Sequence, residues 1–295
     1  MKQPINILLQ TTIPPTVDDW NISRFSMLAN YLASLQDAAG NPLYSIVARD
    51  RDNNPDGNDP ILSTLDRSDF DELWLFAVDI GDGLTSTECE AISRFWRRGG
   101  GLLVTRDHQD LGCSICNLET VGAAHFFQSK NPDPDPSRSC IDDIYTTSIS
   151  FPNYHSGKNG DCQKITPILP IHPVLLNPNS PSGQIEFLPA HPHEGAVGVP
   201  SGEANCRVVA MGKSLVSGRH FNLMVAFEGE TEGMGRAIAE STFHHFCDYN
   251  WDVTMGCPSF VEEEPGNTMQ TNPQALNDLK AYLSNLALWL APCEK

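Results

Sequence analysis

Three turns of this 295-residue chain carry histidines beside carboxylates. The first closes the run Gly99-Gly-Gly-Leu-Leu-Val-Thr-Arg-Asp107-His108. A glycine turn and an apolar strand would deliver Asp107 and His108 to a carboxyl strand end, where related α/β enzymes build a nucleophile elbow. An imidazole there can act as a general base or bind a metal, because it titrates near neutrality. The plainer alternative is a strand-end histidine bonded to a loop carbonyl. The second turn is Leu188-Pro-Ala-His191-Pro-His193-Glu194-Gly195. Two imidazoles two residues apart, next to a carboxylate, could hold a divalent ion or pair a base with its orienter. A histidine-bearing surface loop is the ordinary reading of the same letters.

The third turn follows Gly235-Arg236 and contains Ser241, Thr242, His244 and His245. Ser241 and Thr242 can cap a helix whose first turn holds both histidines, and the dipole there favours a neutral imidazole. Adjacent histidines point to different faces, so one of the two is expected in a cleft, with His244 preferred. Asp107, His108, His193, Glu194 and His244 are the expected catalytic set. His108, His191 and His193 are the expected metal ligands, with zinc the divalent ion best suited to imidazoles.

Other chemistries lack their motifs. Cys113-x-x-Cys116 has redox or zinc spacing, but no second pair follows at finger distance and it does not open a helix after a first strand. Gly-x-Ser-x-Gly, Gly-x-x-x-x-Gly-Lys and Gly-x-Gly-x-x-Gly are all absent.

The elements that must position these turns alternate. Ile5–Leu9, Leu43–Ala48, Glu72–Val78 and Leu102–Thr105 read as strands. Between them lie a helix with Phe25, Leu28, Leu32 and Leu35 on one face, and another with a Thr85/Glu88 capping box burying Cys89, Ile92, Phe95 and Trp96. A βαβαβ order implies a mostly parallel sheet covered on both faces, with ligands beyond the strands' carboxyl ends. That rule marks residues 10–12, 79–83 and 106–112. Residues 128–184 are rich in Pro, Asn, Asp and Ser and read as a long irregular insertion. Strands resume at 207–211, 223–227 and 237–240. The expected organisation is a domain over 1–255, a linker over 256–272, and a C-terminal segment, 273–295. Its amphipathic helix carries Leu276, Leu279, Leu283, Leu286 and Leu290 as a stripe that docks on the core.

Nineteen basic against 37 acidic side chains give a net charge of −18. Such a surface repels phosphate backbones and anionic lipid, so nucleic acid and membrane are not expected as partners. A small-molecule ligand suits it, and a homo-oligomer is left open. No stretch approaches the length of a membrane span, and the N-terminal apolar run is too short for a secretory leader. Nine scattered cysteines read as thiols of a reducing compartment, the cytoplasm by default.

With these residues in view, the chain resembles the ThuA-like branch of the class I glutamine amidotransferase-like superfamily. Gly99–His108 is similar to that branch's triple-glycine, strand and histidine segment. Ile171-His172-Pro173-Val174-Leu175 is similar to its His-Pro segment, and Gly235-Arg236 followed by His244-His245 to its closing strand and histidine. The resemblance covers about residues 5–252. It implies a flavodoxin-like three-layer sandwich, and an association with sugar metabolism. True glutamine amidotransferases carry a cysteine at the elbow and a His-Pro-Glu unit. Here Thr105-Arg106-Asp107-His108 has no cysteine, and His191-Pro192-His193-Glu194 contains an inserted histidine. The expected function is therefore an enzyme without the cysteine nucleophile, acting on a small polar, carbohydrate-like molecule through the histidines and carboxylates. The alternative is a binding or protein-interaction module that kept the fold and lost the chemistry.

Overall fold

The computed structural model describes residues 3–52, 54–142, 149, 153–229 and 233–292. Eight segments join one sheet: β1 (Ile5–Thr11), β2 (Tyr44–Arg49), β3 (Glu72–Phe76), β4 (Gly101–Val104), β5 (Thr166–Pro167), β6 (Cys206–Lys213), β7 (His220–Phe227) and β8 (Ala237–Glu240). Their order is β2-β1-β3-β4-β8-β7-β6-β5. Neighbours from β2 to β8 run parallel, and β7, β6 and β5 continue the sheet antiparallel.

The apolar runs that predict strands covered on both faces divide by the period of two. Ile7, Leu9, Trp74, Phe76, Leu103 and Ile238 face one core. Leu8, Leu73, Leu75, Leu102, Val104, Ala237 and Ala239 face the other. The first core receives Leu28 and Leu32 of α1 (Ser26–Ser34), and Leu279, Leu283 and Leu286 of α3 (Pro273–Leu290). The second receives Cys89, Ile92, Phe95 and Trp96 of α2 (Ser86–Arg97). Each fully buried side chain of this kind contributes roughly 1.5–3 kcal/mol. The result is an α/β three-layer sandwich with a mostly parallel sheet.

Caps act where the sequence places them. Thr85 and Glu88 form the capping box of α2, and Gly99 adopts a φ of +105° that lets the chain turn into β4. α3 docks through more than its leucines. Asp278 accepts the backbone N–H groups of Glu186 (2.9 Å) and Phe187 (3.1 Å), and the Tyr282 hydroxyl donates to Glu240. Leu276 lies at the edge of the stripe and is only partly buried.

Residues 143–148 and 150–152 of the expected insertion lie outside the described residues, and its segment at 162–164 is held in a ladder. Cys162–Lys164 pairs with Phe187–Pro189, and His125–Phe126 pairs with Ala196–Val197. These short ladders bracket residues 190–195 and hold them over the sheet. His172 is structural: its Nδ1 accepts the Val174 N–H at 3.3 Å, and its ring meets Trp289 of α3 edge-on. Because β1, β3, β4 and β8 are parallel, the loops that leave them open at one edge. No described helix is long and apolar enough to cross a membrane.

Candidate active site

At the exit of β4 the chain passes through Arg106, a fully buried guanidinium. It donates to the carbonyls of Asp107 (2.5 Å), Gln109 (2.8 Å), Ala196 (3.3 Å) and Phe126, and lies 3.9 Å over the Phe127 ring. Burial pushes its pKa down to about 9. Gly195 packs so closely on this guanidinium that a Cβ there would collide with it. Gln109 takes a left-handed φ of +48°, and the turn closes with Leu111 N–H donating to the His108 carbonyl at 3.1 Å. This clamp aims Asp107 into a cavity of about 400 Å³ at the carboxyl edge of the sheet.

The 190–195 loop brings a second wall. Ser156 Oγ accepts the His191 N–H at 2.9 Å, and Ser156 N–H donates back to the His191 carbonyl at 3.1 Å. His191 and His193, two apart, both line the cavity. Beyond β8, Thr242 caps a short 3-10 turn, Phe243–His245, by accepting the His244 N–H at 3.2 Å. His244 enters the cavity while His245 turns away, as the opposed faces of adjacent residues require.

On the floor, the ligand atoms of Asp107, His191 and His244 lie within 4.8 Å of one another. The His191 and His244 rings stack, with centroids 3.5 Å apart and planes 14° apart. His191 Nδ1 is 4.0 Å from Asp107 Oδ1 and has no hydrogen-bond partner among the described residues. His244 Nδ1 contacts Asn250 Oδ1 at 2.9 Å. The Asn250 amide donates to Asn159 Oδ1 and to the Ala190 carbonyl, so its oxygen faces the ring. Nδ1 of His244 therefore carries the proton, and Nε2 is left with its lone pair.

The charge states suit this floor. Desolvation pushes the Asp107 carboxyl up, but the charge and hydrogen bond of His108, 3.1 Å away, outweigh it and hold the pKa at about 2. Desolvation pushes His244 down to about 4 and His191 well below the ordinary histidine value. At neutral pH the floor thus presents an ionised carboxylate and two neutral imidazoles. That donor set suits zinc or another first-row divalent ion.

The expected residues divide in an instructive way. Asp107, His108, His191, His193 and His244 converge on one cavity. Of the three expected ligands, His191 alone belongs to the close cluster, where its companions are Asp107 and His244 instead of His108 and His193. His108 bonds Asp107, and His193 Nε2 bonds Glu263 Oε1 at 3.1 Å. That hydrogen bond holds the Glu263 carboxyl below its usual value. Glu194, expected in the catalytic set, faces the opposite side of its loop. It accepts from Ser156 (2.7 Å), Ser241 (2.6 Å) and Gln163, and lies 3.7 Å from His245. His245 Nδ1 bonds Glu240 at 2.6 Å. Desolvation pushes His245 down, and the two carboxylates overcome it to raise the pKa to about 10. This buried acid–histidine–acid set ties β8 to the 190–195 loop. The alternation of the loop carries the signal: residues 191 and 193 share a side, and 194 takes the other.

Sequence reasoning did not single out Trp20, Asn159, Asn250, Phe260 or Glu263. Phe260, Val261 and Glu263 come from the segment expected as a linker, yet they line the cavity. Asn250 lies six residues beyond His244, near the hydrogen-bonded end of the same segment, and that spacing is the one available cue.

No protein-family model and no curated protein match the chain. Solved structures do. A putative ThuA-like protein from Parabacteroides merdae is 14% identical, with a TM-score of 0.50 over 99% of this chain and 93% of that one. The glutaminase domain of Trypanosoma brucei CTPS with bound acivicin is 13% identical, with a TM-score of 0.44 over 99% and 98%. The mmIFT52 N-terminal domain is 12% identical, with a TM-score of 0.47 over 84% and 94%. At these identities, the match to the ThuA-like structure concerns the fold: the chain has the architecture of that protein, and its chemistry must be argued from its own residues.

Proposed function

We propose that the chain is an enzyme of the ThuA-like branch that works without a cysteine nucleophile, using Asp107, His191 and His244 as its reacting floor. Its substrate is a small polar molecule, and a divalent metal, zinc by preference, is its cofactor. The observation carrying this reading is the meeting of one ionised carboxylate and two neutral imidazoles, all buried, within 4.8 Å. Burying three such groups together is costly unless they serve a ligand. No cysteine lines the cavity among the described residues, so glutamine hydrolysis through a thiolate has no support.

Bound there, a divalent ion would polarise a carbonyl or lower the pKa of a water. The parallel rings of His191 and His244 can share one ion only if one of them turns. His108, hydrogen-bonded to Asp107, stands at the cavity wall as the proton acceptor for the same reaction. The eight described cysteines are free thiols, which suits a cytoplasmic enzyme.

The test is zinc titration of untagged protein, followed by metal analysis. About one ion per chain should be retained, and Asp107→Asn or His191→Gln should lose it while circular dichroism shows the fold intact. Uptake indifferent to both substitutions removes the metal centre.

A further inference from the structure

The floor is one part of the cavity, and its upper wall has a different chemistry. Aromatic rings form a continuous file from floor to mouth. His244 meets Trp20 edge-on at 4.8 Å, Trp20 meets Phe243 at 5.4 Å, and Trp20 meets Phe260 at 6.5 Å. Phe260 is 57% exposed and Ile80 79% exposed, so this apolar surface reaches the mouth uncovered. Val78 and Val261 widen it.

The charge of the lining is one-sided. Asp19, Asp107 and Glu263 face the cavity, and no lysine or arginine lines it among the described residues. With no lysine or arginine along the described lining, an anionic ligand would give up its water without a cationic side chain to receive it.

We infer that the cavity takes an uncharged amphiphile, with its polar end on the Asp107, His191 and His244 floor and an apolar arm along the Phe243–Trp20–Phe260 wall. This rests on the floor being the reacting centre, and it adds the substrate class. The polar end supplies the reacting group. The arm supplies binding energy and orientation, since apolar area leaving water is the main source of affinity in such a site.

Isothermal titration of the full-length protein with three matched probes tests the inference: 4-phenylbutyramide, butyramide and 4-phenylbutyrate. The aryl amide should bind at least about tenfold more tightly than either of the others. Phe260→Ala, at an exposed position that the fold does not need, should shrink the preference over butyramide to within about threefold. Equal binding of the two amides, tightest binding of the carboxylate, no measurable binding of any probe, or a preference untouched by Phe260→Ala would each overturn it. Zinc content measured on the same samples separates the two ideas. Loss of zinc with the preference intact removes only the metal reading, and zinc retention without the preference removes only the amphiphile.

Discussion

Asn250 holds His244 in one tautomer: its Oδ1 faces the Nδ1 proton at 2.9 Å, while its amide is committed to Asn159 and to the carbonyl of Ala190. One side chain thus orients a floor imidazole and anchors the loop that carries His191. Asn250→Leu should weaken zinc binding about 10- to 100-fold, the usual effect of losing an outer partner of a ligating histidine. Asn250→Asp should recover most of that loss and raise the His244 pKa from about 4, because a carboxylate favours the charged ring. Competition with a chromophoric chelator reads the first effect, and histidine resonances followed against pH read the second. Unaltered zinc affinity in Asn250→Leu would show that the tautomer is irrelevant to binding.

The Glu194–His245–Glu240 set predicts an alkaline weakness of the fold. The folded pKa of His245, about 10, lies above the value of about 6.5 for an unfolded histidine. Below about pH 6.5 both states hold the proton and the stabilisation is complete. As pH rises from there toward 10, the unfolded chain releases its proton first and the advantage shrinks. The stability that the native chain holds over His245→Gln should therefore shrink between about pH 6.5 and 8, while the depressed His191 and His244 contribute an opposite slope common to both proteins. At about pH 6.5 the substitution should cost about 3–5 kcal/mol by leaving buried carboxylates without their cation. A difference in urea midpoint that does not change with pH would assign the alkaline weakness to other groups.

Much of the sandwich was readable because both-face burial writes itself as unbroken apolar runs, as in Leu73–Ala77, and because Thr85 and Glu88 announce their helix. The convergence of three histidine turns was readable too, since each follows a strand or bracket that must end at the same edge. What failed was direction. Glu194 adjoins His193 in sequence, but a single step along an extended loop carries it to the other side. Partnership also failed: His191 finds Asp107 and His244 across more than fifty residues, and no local spacing encodes that. The aromatic file was hidden for the same reason, since Trp20 and Phe260 belong to opposite ends of the chain.

Cys113 and Cys116 should prove inert at neutral pH despite their spacing. Burial raises the thiol pKa of both, to about 11 for Cys116, so little thiolate exists to attack a disulfide or an alkylating agent. Iodoacetamide at pH 7.5 should label them much more slowly in the native protein than in urea. A Cys113→Ser, Cys116→Ser double variant should bind zinc as the native chain does. Fast native labelling of either would revive a redox role.

The depressed imidazoles make the sharpest claim about the floor itself. An ordinary histidine, with a pKa of about 6.5, is roughly 90% protonated at pH 5.5, so a site built on two of them loses about 100-fold in affinity for zinc between pH 7.5 and 5.5. His244, at about 4, and His191, well below its ordinary value, remain neutral across that interval, and Asp107, at about 2, remains ionised. Zinc affinity should then change by less than about threefold over the same range. The metal-free fold behaves in the opposite sense. Its buried neutral histidines are fully compatible with folding above about pH 6.5, and as pH falls toward 4 the unfolded chain gains protons that the folded chain refuses. Acid should therefore lower the melting temperature of the metal-free protein while leaving its grip on zinc nearly intact. Calorimetric titrations at pH 7.5, 6.5 and 5.5, paired with melts of the metal-free protein, measure both halves. A 100-fold loss of affinity by pH 5.5 would mean that the ligating imidazoles titrate like surface ones, and that the ion sits somewhere other than this buried floor.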